Sequence, residues 1–275
     1  LIKIKNNNYK IIDAHLHLPW EDKYETIDEK YKALKHEMKI NNIDHGLLIA
    51  DSLLDTTIGN NKDCLRIVEK DSNLSLIYGY SPLEREVEQL DEVRGLLNFN
   101  KVKGIKLYPG HDDFSMNDIR LDKIFKLCIE FDIPIALHTE WNDDYFPQYS
   151  HPFFIKQIAE KYPTLKVVCC HMWMPRVIES LKLTKDLNNI YYDISSFSVS
   201  KKYLEKYPNA GFPTKEEAIS LLEQIMNIVP NKVMFGSDYG TLLINDHIDT
   251  VLKSNLNDEQ LQKLLYLNAS RIYNI

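Results

Sequence analysis

The sequence predicts a closed (β/α)₈ barrel, and three observations point to it. Eight short apolar runs rich in Ile, Val, Leu and Tyr recur at a mean spacing of about 32 residues, the length of one strand, one helix and their loops. Segments of helical periodicity fill the intervals, and strands alternating with helices imply parallel strands joined by right-handed crossovers. The first run leads into His15-Leu16-His17-Leu18-Pro19, not into the Gly-rich turn expected of an open doubly wound sheet.

Each element follows from its local pattern. The runs Lys10 to His17, His45 to Asp51, Leu74 to Ser81, Val102 to Pro109, Ile133 to Thr139, Leu165 to His171, Ile190 to Ser195 and Lys232 to Ser237 are bounded by polar, Gly or Pro residues and are too short for buried helices. Helices are expected over Asp28 to Ile40, Asn61 to Lys70, Leu83 to Leu97, Leu121 to Phe131, Pro152 to Tyr162, Pro175 to Leu187 and Lys215 to Ile228. In the last of these, Ala218, Leu221, Leu222 and Ile225 form one apolar face. A final helix, Asp258 to Ile272, is announced by Asn257 with Gln260 three residues on, a capping-box pattern. The interval from Ile190 to Val233 is the longest, so Phe197 to Pro213 reads as an insertion, a candidate lid.

Composition narrows the function. With 275 residues, 33 Lys+Arg against 40 Asp+Glu and a net charge of -7, the chain has the profile of a soluble protein. No Pro-, Gly- or Ser-rich linker divides it, so residues 1–275 are expected to form one domain. An isoelectric point near 5.7 argues against a nucleic-acid partner and for a small molecule. No apolar run approaches the length of a membrane span, and Leu1 to Lys10 lacks a signal-peptide core; a cytoplasmic protein with no membrane partner is expected, with a homodimer as one expectation for its assembly. Cys64, Cys128, Cys169 and Cys170 show no C-x-x-C spacing and read as reduced core thiols.

The chemistry-bearing residues stand at strand ends. His15 and His17, two apart on a strand, project to one face. His138 ends the fifth run, His171 the sixth, and Asp238 follows the eighth. In a parallel barrel all C-terminal strand ends open on one face, so four histidines and a carboxylate converge there. Neutral imidazole and carboxylate suit Zn²⁺ and neighbouring divalent metals, with an open position for water. Lys106, near the end of the fourth run, faces the same pocket; it would anchor a substrate carboxylate or a nearby acid, or, carbamylated, bridge two metals.

The segments D-A-H-L-H, G-I-K-L-Y-P, A-L-H-T-E, C-C-H-M-W and F-G-S-D-Y-G, with Asn268-Ala269-Ser270-Arg271-Ile272-Tyr273 near the end, resemble the amidohydrolase superfamily. Within it the chain is most similar to the amidohydrolase-2 group, which includes aminocarboxymuconate semialdehyde decarboxylase and many metal-dependent hydrolases. The resemblance implies one Zn²⁺ held by His15, His17, His138 and Asp238, with His171 as the acid/base acting beside Asp238. In two-metal members the corresponding residues imply His138 and His171 on a second ion bridged by carbamylated Lys106; one ion is the preferred expectation. The related deoxyribonuclease branch usually has a glutamate where this chain has Lys106. The implied reaction is attack of activated water on an amide, lactone or ester, with non-oxidative decarboxylation of an aromatic or unsaturated acid as the alternative.

Aromatic residues crowd the loops after the strands: Trp20, Tyr108, Trp141, Tyr145, Phe146, Trp173 and Tyr239. They suggest a flat or apolar substrate with few polar anchors. Arg85 and Arg176 follow strand ends closely enough to fork onto a carboxylate. Glu140, with Asp143 and Asp144 after it, and Asp51 are candidate partners for ligand imidazoles. The expected substrate-binding set is Tyr108, Trp141, Trp173, Arg176 and Glu140.

Overall fold

Parallel strands covered on both faces must be apolar throughout, and the eight runs fold accordingly. The computed structural model describes every residue except 5, 6, 99, 142–145 and 210. Two short strands, β1 (Ile2–Ile4) and β2 (Asn7–Tyr9), form an antiparallel hairpin that no apolar run announces. The barrel strands are β3 (Ile12–Leu16), β4 (His45–Ile49), β5 (Leu74–Gly79), β6 (Val102–Leu107), β7 (Ile135–His138), β8 (Val167–Cys170), β9 (Ile190–Asp193) and β10 (Val233–Met234). They pair in parallel in sequence order. Backbone hydrogen bonds from Ala14 N–H to Phe235 O (2.9 Å), Asp238 N–H to His15 O (2.9 Å) and His17 N–H to Tyr239 O (2.7 Å) join β3 to the β10 segment. The expected (β/α)₈ barrel is therefore what forms.

Helices Ile27–Ile40, Asn61–Val68, Glu86–Asn98, Asp122–Glu130, Pro152–Lys161, Val177–Thr184 and Lys215–Ile228 follow the first seven barrel strands. Thr26 and Thr214 close capping boxes with Glu29 and Glu217, which fixes the first turns of the helices they precede. An additional helix, Ile244–Lys253, follows β10; its N-cap position is held by Leu243 with no side-chain hydrogen bond, so no capping pattern announces it. The terminal helix starts at the expected Asn257–Gln260 box but passes through a π turn over Lys263–Leu267 before Asn268–Tyr273. No helix among the described residues is long and apolar enough to cross a membrane.

Two apolar layers result. Side chains pointing out of the barrel meet the helices in one large cluster. Those pointing in, among them Ile12, Ala14, Leu47, Ile49, Ala136, Val168 and Met234, form a second cluster closed by Ala269, Ile272 and Tyr273 of the last helix. Gly104 makes room for that plug, since a Cβ there would lie 3.1 Å from Tyr273 Cε1. All four cysteines are buried and unpaired, as expected.

Candidate active site

The inward columns of the barrel carry the polar groups at their upper ends. Alternation places Lys106 two residues beyond Gly104 on β6 and His138 two beyond Ala136 on β7, so each continues an inward face. By the same count Asp193 lies two beyond Tyr191 and Asp238 four beyond Met234. Simple alternation fails at two places, and both serve the site. Ile12 and Ala14 already point inward, and the β3–β4 register shifts between Asp13 and Leu16; this bulge re-aims the strand so that His15 and His17 reach the cavity. On β8, Val168 and Cys170 point inward, and His171 joins them because the backbone turns left-handed at His171, Met172 and Trp173, with φ of 63°, 49° and 56°. Asp238 is left-handed too, at φ 56°. Such conformations cost about 1–3 kcal/mol each and persist where surrounding contacts over-determine them.

Three donor atoms meet at the centre. His15 Nε2 lies 3.3 Å from His17 Nε2 and 3.2 Å from Asp238 Oδ1, and His17 Nε2 lies 3.6 Å from the same oxygen. These spacings match the edges, about 3.3 Å, of a tetrahedron with bonds of about 2.0–2.1 Å, the nitrogen and oxygen distances of zinc. The imidazole rings of His15 and His171, and of His138 and His171, have centroids 4.8 Å apart, and a further group of possible ligands is His138, Glu140 and His171.

Asp193, which no strand-end histidine pattern signals, organises this cluster from below. Its Oδ2 accepts from His15 Nδ1 at 3.0 Å, and its Oδ1 accepts from the backbone N–H of His171 (3.1 Å) and of Ser195 (3.2 Å). The Ser195 hydroxyl also donates to Asp193. That hydroxyl's proton is thereby committed, so its oxygen, 2.9 Å from His171 Nδ1, can only accept. The Asp193 carboxylate thus keeps the His15 proton on Nδ1 and its Nε2 lone pair toward the cavity, whereas His171 Nδ1 has two hydroxyl neighbours, Ser195 Oγ and Ser196 Oγ, each at 2.9 Å. Asp13 works alongside: its Oδ1 accepts from His15 N–H (3.1 Å) and Ser237 N–H (3.0 Å), tying β3 to the β10 segment. Gly236 allows the close approach, since a Cβ there would sit 3.0 Å from that of His15.

Burial makes the cluster electrically distinctive. Burial and then the Lys106 charge hold His15 well below the ordinary histidine value, and the same causes lower His17 to about 3. Burial, followed by the charges of His138 and His15, lowers His171. The imidazoles are therefore neutral at pH 7, the state in which they ligate a metal. Burial raises Asp13 to about 7. Lys106 is fully buried, and its Nζ has no oxygen or nitrogen hydrogen-bond partner among the described residues.

The cluster forms the floor of a cavity of about 530 Å³ lined by His15, His17, Lys106, His138, His171 and Asp238 together with Tyr108, His111, Asp112, Trp20 and residues of the segment from Asp51 to Ile58. That segment precedes the helix Asn61–Val68 and is held by Asp51, which accepts from Leu53 N–H (3.0 Å) and the Thr56 hydroxyl (2.6 Å). His111, its ring 5.6 Å from that of His138, is a wall residue that no strand-end motif picks out. The other residues expected near the substrate are placed differently. Trp173 is fully buried and its Nε1–H donates to Ser150 O at 2.7 Å, making it a packing plug. Arg176 stacks over Trp141 at 4.2 Å, and neither lines the cavity. Glu140 is buried beside His138 and His171, behind the lining. Tyr239 and Arg85 are also outside the lining, whereas Phe146 packs on Tyr149 with ring centroids 5.1 Å apart. Asp143, Asp144 and Tyr145 lie outside the described residues. The described part of the Phe197–Pro213 insertion includes a short helix, Lys201–Lys206, and lines a separate cavity against the helices Lys215–Ile228 and Ile244–Lys253.

A family model described as Amidohydrolase matches residues 12–275. Among solved structures, an uncharacterised TIM-barrel protein of Bordetella bronchiseptica superposes with a TM-score of 0.74 at 18% identity, over 96% of this chain and 98% of that one. A probable 2-pyrone-4,6-dicarboxylic acid hydrolase of Acinetobacter baumannii, with citric acid bound, gives 0.66 at 16% identity over 97% and 100%. A 5-carboxyvanillate decarboxylase of Novosphingobium aromaticivorans, complexed with manganese and a nitrobenzoic acid, gives 0.68 at 13% identity over 97% and 96%. No curated protein matches the chain.

Proposed function

The chain belongs to the amidohydrolase family, and from that premise we propose that it is a metal-dependent hydrolase acting on an amide, lactone or ester of a small molecule. The observation that carries this reading is the set of three donors, His15 Nε2, His17 Nε2 and Asp238 Oδ1, within 3.6 Å of one another at the base of a cavity. His138 completes the proposed ligand set, and one divalent ion, zinc by its donor chemistry, suits the three donors that meet at the centre. When bound, such an ion supplies Lewis-acid polarisation of a carbonyl and lowers the pKa of water toward neutrality.

The chain's own groups do the rest. Asp238 is placed to accept the proton of the attacking water. His171, held at its Nδ1 by the Ser195 and Ser196 hydroxyls, lines the cavity, where its Nε2 can take that proton on and pass it to the leaving group. Lys106 places a buried positive charge where negative charge develops on the substrate oxygen. Tyr108 and Trp20 provide the flat apolar wall.

Decarboxylation is the second reading, and the Lys106 environment favours it: a carboxylate drawn against a buried ammonium and an aromatic wall is stripped of water, which promotes loss of carbon dioxide. Protein purified without added metal, analysed for bound ions and assayed for acid release and for carbon dioxide across lactones, amides, esters and aromatic acids, tests both. Absence of any divalent ion, with no difference in metal uptake between wild type and His15→Ala/His138→Ala, would sink the metal-dependent reading. Carbon dioxide without hydrolysis would select the second.

A further inference from the structure

Charge in the cavity is distributed unevenly with depth. Lys106 is the one lysine or arginine among the lining residues; it is fully buried, and its Nζ has no oxygen or nitrogen hydrogen-bond partner among the described residues. A buried ammonium in that state is costly unless a ligand oxygen completes it. The part of the lining nearer solvent carries the opposite sign: Asp55 is exposed, and Asp51 and Asp112 are partly exposed. None of the six arginines joins them. Arg66, Arg94 and Arg120 are paired with carboxylates elsewhere, Arg176 lies over Trp141, Arg271 lies over Tyr191, and Arg85 is outside the lining. Tyr108, Trp20 and Ile58 belong to the same lining and supply apolar surface, Ile58 buried and Trp20 half exposed.

We infer that the substrate is a compact, largely apolar ring with a single anionic or strongly polarised oxygen group directed at Lys106 and an uncharged or cationic remainder directed at Asp51, Asp55 and Asp112, so that dicarboxylates are excluded. The inference rests on the reading of this cavity as the substrate site. It separates the chain from a hydrolase of a dicarboxylic acid, because a second carboxylate at the mouth would meet three like charges and no arginine fork.

Calorimetric titration of zinc-loaded protein with benzoate, 3-(aminomethyl)benzoate and isophthalate tests it, the three carrying at the distal position no group, an ammonium and a carboxylate. Isophthalate is expected to bind at least about tenfold more weakly than benzoate, about 1.4 kcal/mol, and 3-(aminomethyl)benzoate at least as tightly as benzoate. An Asp55→Asn/Asp112→Asn variant, altered only toward the solvent side, should close most of the gap. Lys106→Met should weaken benzoate about tenfold; if that variant fails to fold, the solvent-side variant still decides. Isophthalate binding as tightly as benzoate, an unchanged gap in the aspartate variant, unchanged benzoate affinity in folded Lys106→Met, or no binding by any probe would each overturn the inference. Binding is read without turnover, so the charge preference in a protein that hydrolyses nothing would keep this inference and remove the hydrolase reading.

Discussion

Asp193 sets the behaviour of two histidines at once, through the His15 ring (3.0 Å) and through Ser195 to the His171 ring (2.9 Å). Carboxylates that orient ligand imidazoles are worth about 10–100-fold in metal affinity, so Asp193→Asn is expected to weaken zinc binding by that factor, read by competition against a chromophoric chelator. Unchanged affinity would remove Asp193 from the proposed metal centre. A second residue-scale expectation concerns His247, which is fully buried, accepts from Ser198 N–H at 3.3 Å and is lowered to about 4, chiefly by burial. The unfolded chain, with its histidine near about 6.5, binds a proton that the folded chain excludes between those two values. His247 therefore contributes stability that is fully present above about pH 6.5 and is lost as pH falls toward 4, roughly 3 kcal/mol in all. Urea unfolding of metal-free wild type and His247→Gln should show a smaller loss between pH 7 and pH 4.5 in the variant; parallel curves would refute the assignment. Of these residues, His15, His17, His138, His171 and Asp238 were legible in sequence because each ends an apolar run. Asp193 ends one too, but a lone carboxylate at a strand end carries no signal until its neighbours across the barrel are known.

The element that the cavity depends on most, beyond the strand ends, is the Asp51–Ile58 segment packed on β5. A Cβ at Gly79 would lie 2.4 Å from Ala50 O and 2.6 Å from Ser52 N, both backbone atoms with no room to yield. Gly79→Ala should therefore force the segment outward, costing about 1–3 kcal/mol in unfolding free energy and weakening benzoate binding in the same variant. An unperturbed melting curve would contradict the packing. At the other helical layer, the Thr214–Glu217 capping box supports Lys215–Ile228, and Thr214→Ala is expected to cost about 1 kcal/mol in urea unfolding. Its sequence signature is local, four residues in a row, and so needs no tertiary information to read. The β3 bulge and the left-handed turn at His171 are the opposite case: nothing in D-A-H-L-H or C-C-H-M-W announces a register shift or a positive φ at a non-glycine residue.

At the scale of the whole molecule, the proposed metal centre and the barrel closure share residues. His15 O accepts the bond from Asp238 N–H that helps join β3 to the β10 segment, and their side chains are two of the three central donors. A ligand that binds only the folded chain adds about 4 kcal/mol at a thousandfold excess over its Kd, so chelation should lower the melting temperature of the purified protein and zinc should restore it. Identical melting with chelator and with zinc would separate the donor cluster from metal binding. The sequence by itself determined the barrel, because eight apolar runs at a regular spacing have few other ways to bury both faces, and it placed five donor residues at strand ends. Only the tertiary structure decided what surrounds them. It set Asp193 beneath two imidazoles from different strands, left Trp141, Trp173 and Arg176 outside the cavity lining, and brought the Asp51–Ile58 segment into it. The physical reason is that periodicity reports which face of an element is apolar, whereas hydrogen-bond partners and cavity walls depend on contacts between elements far apart in the chain.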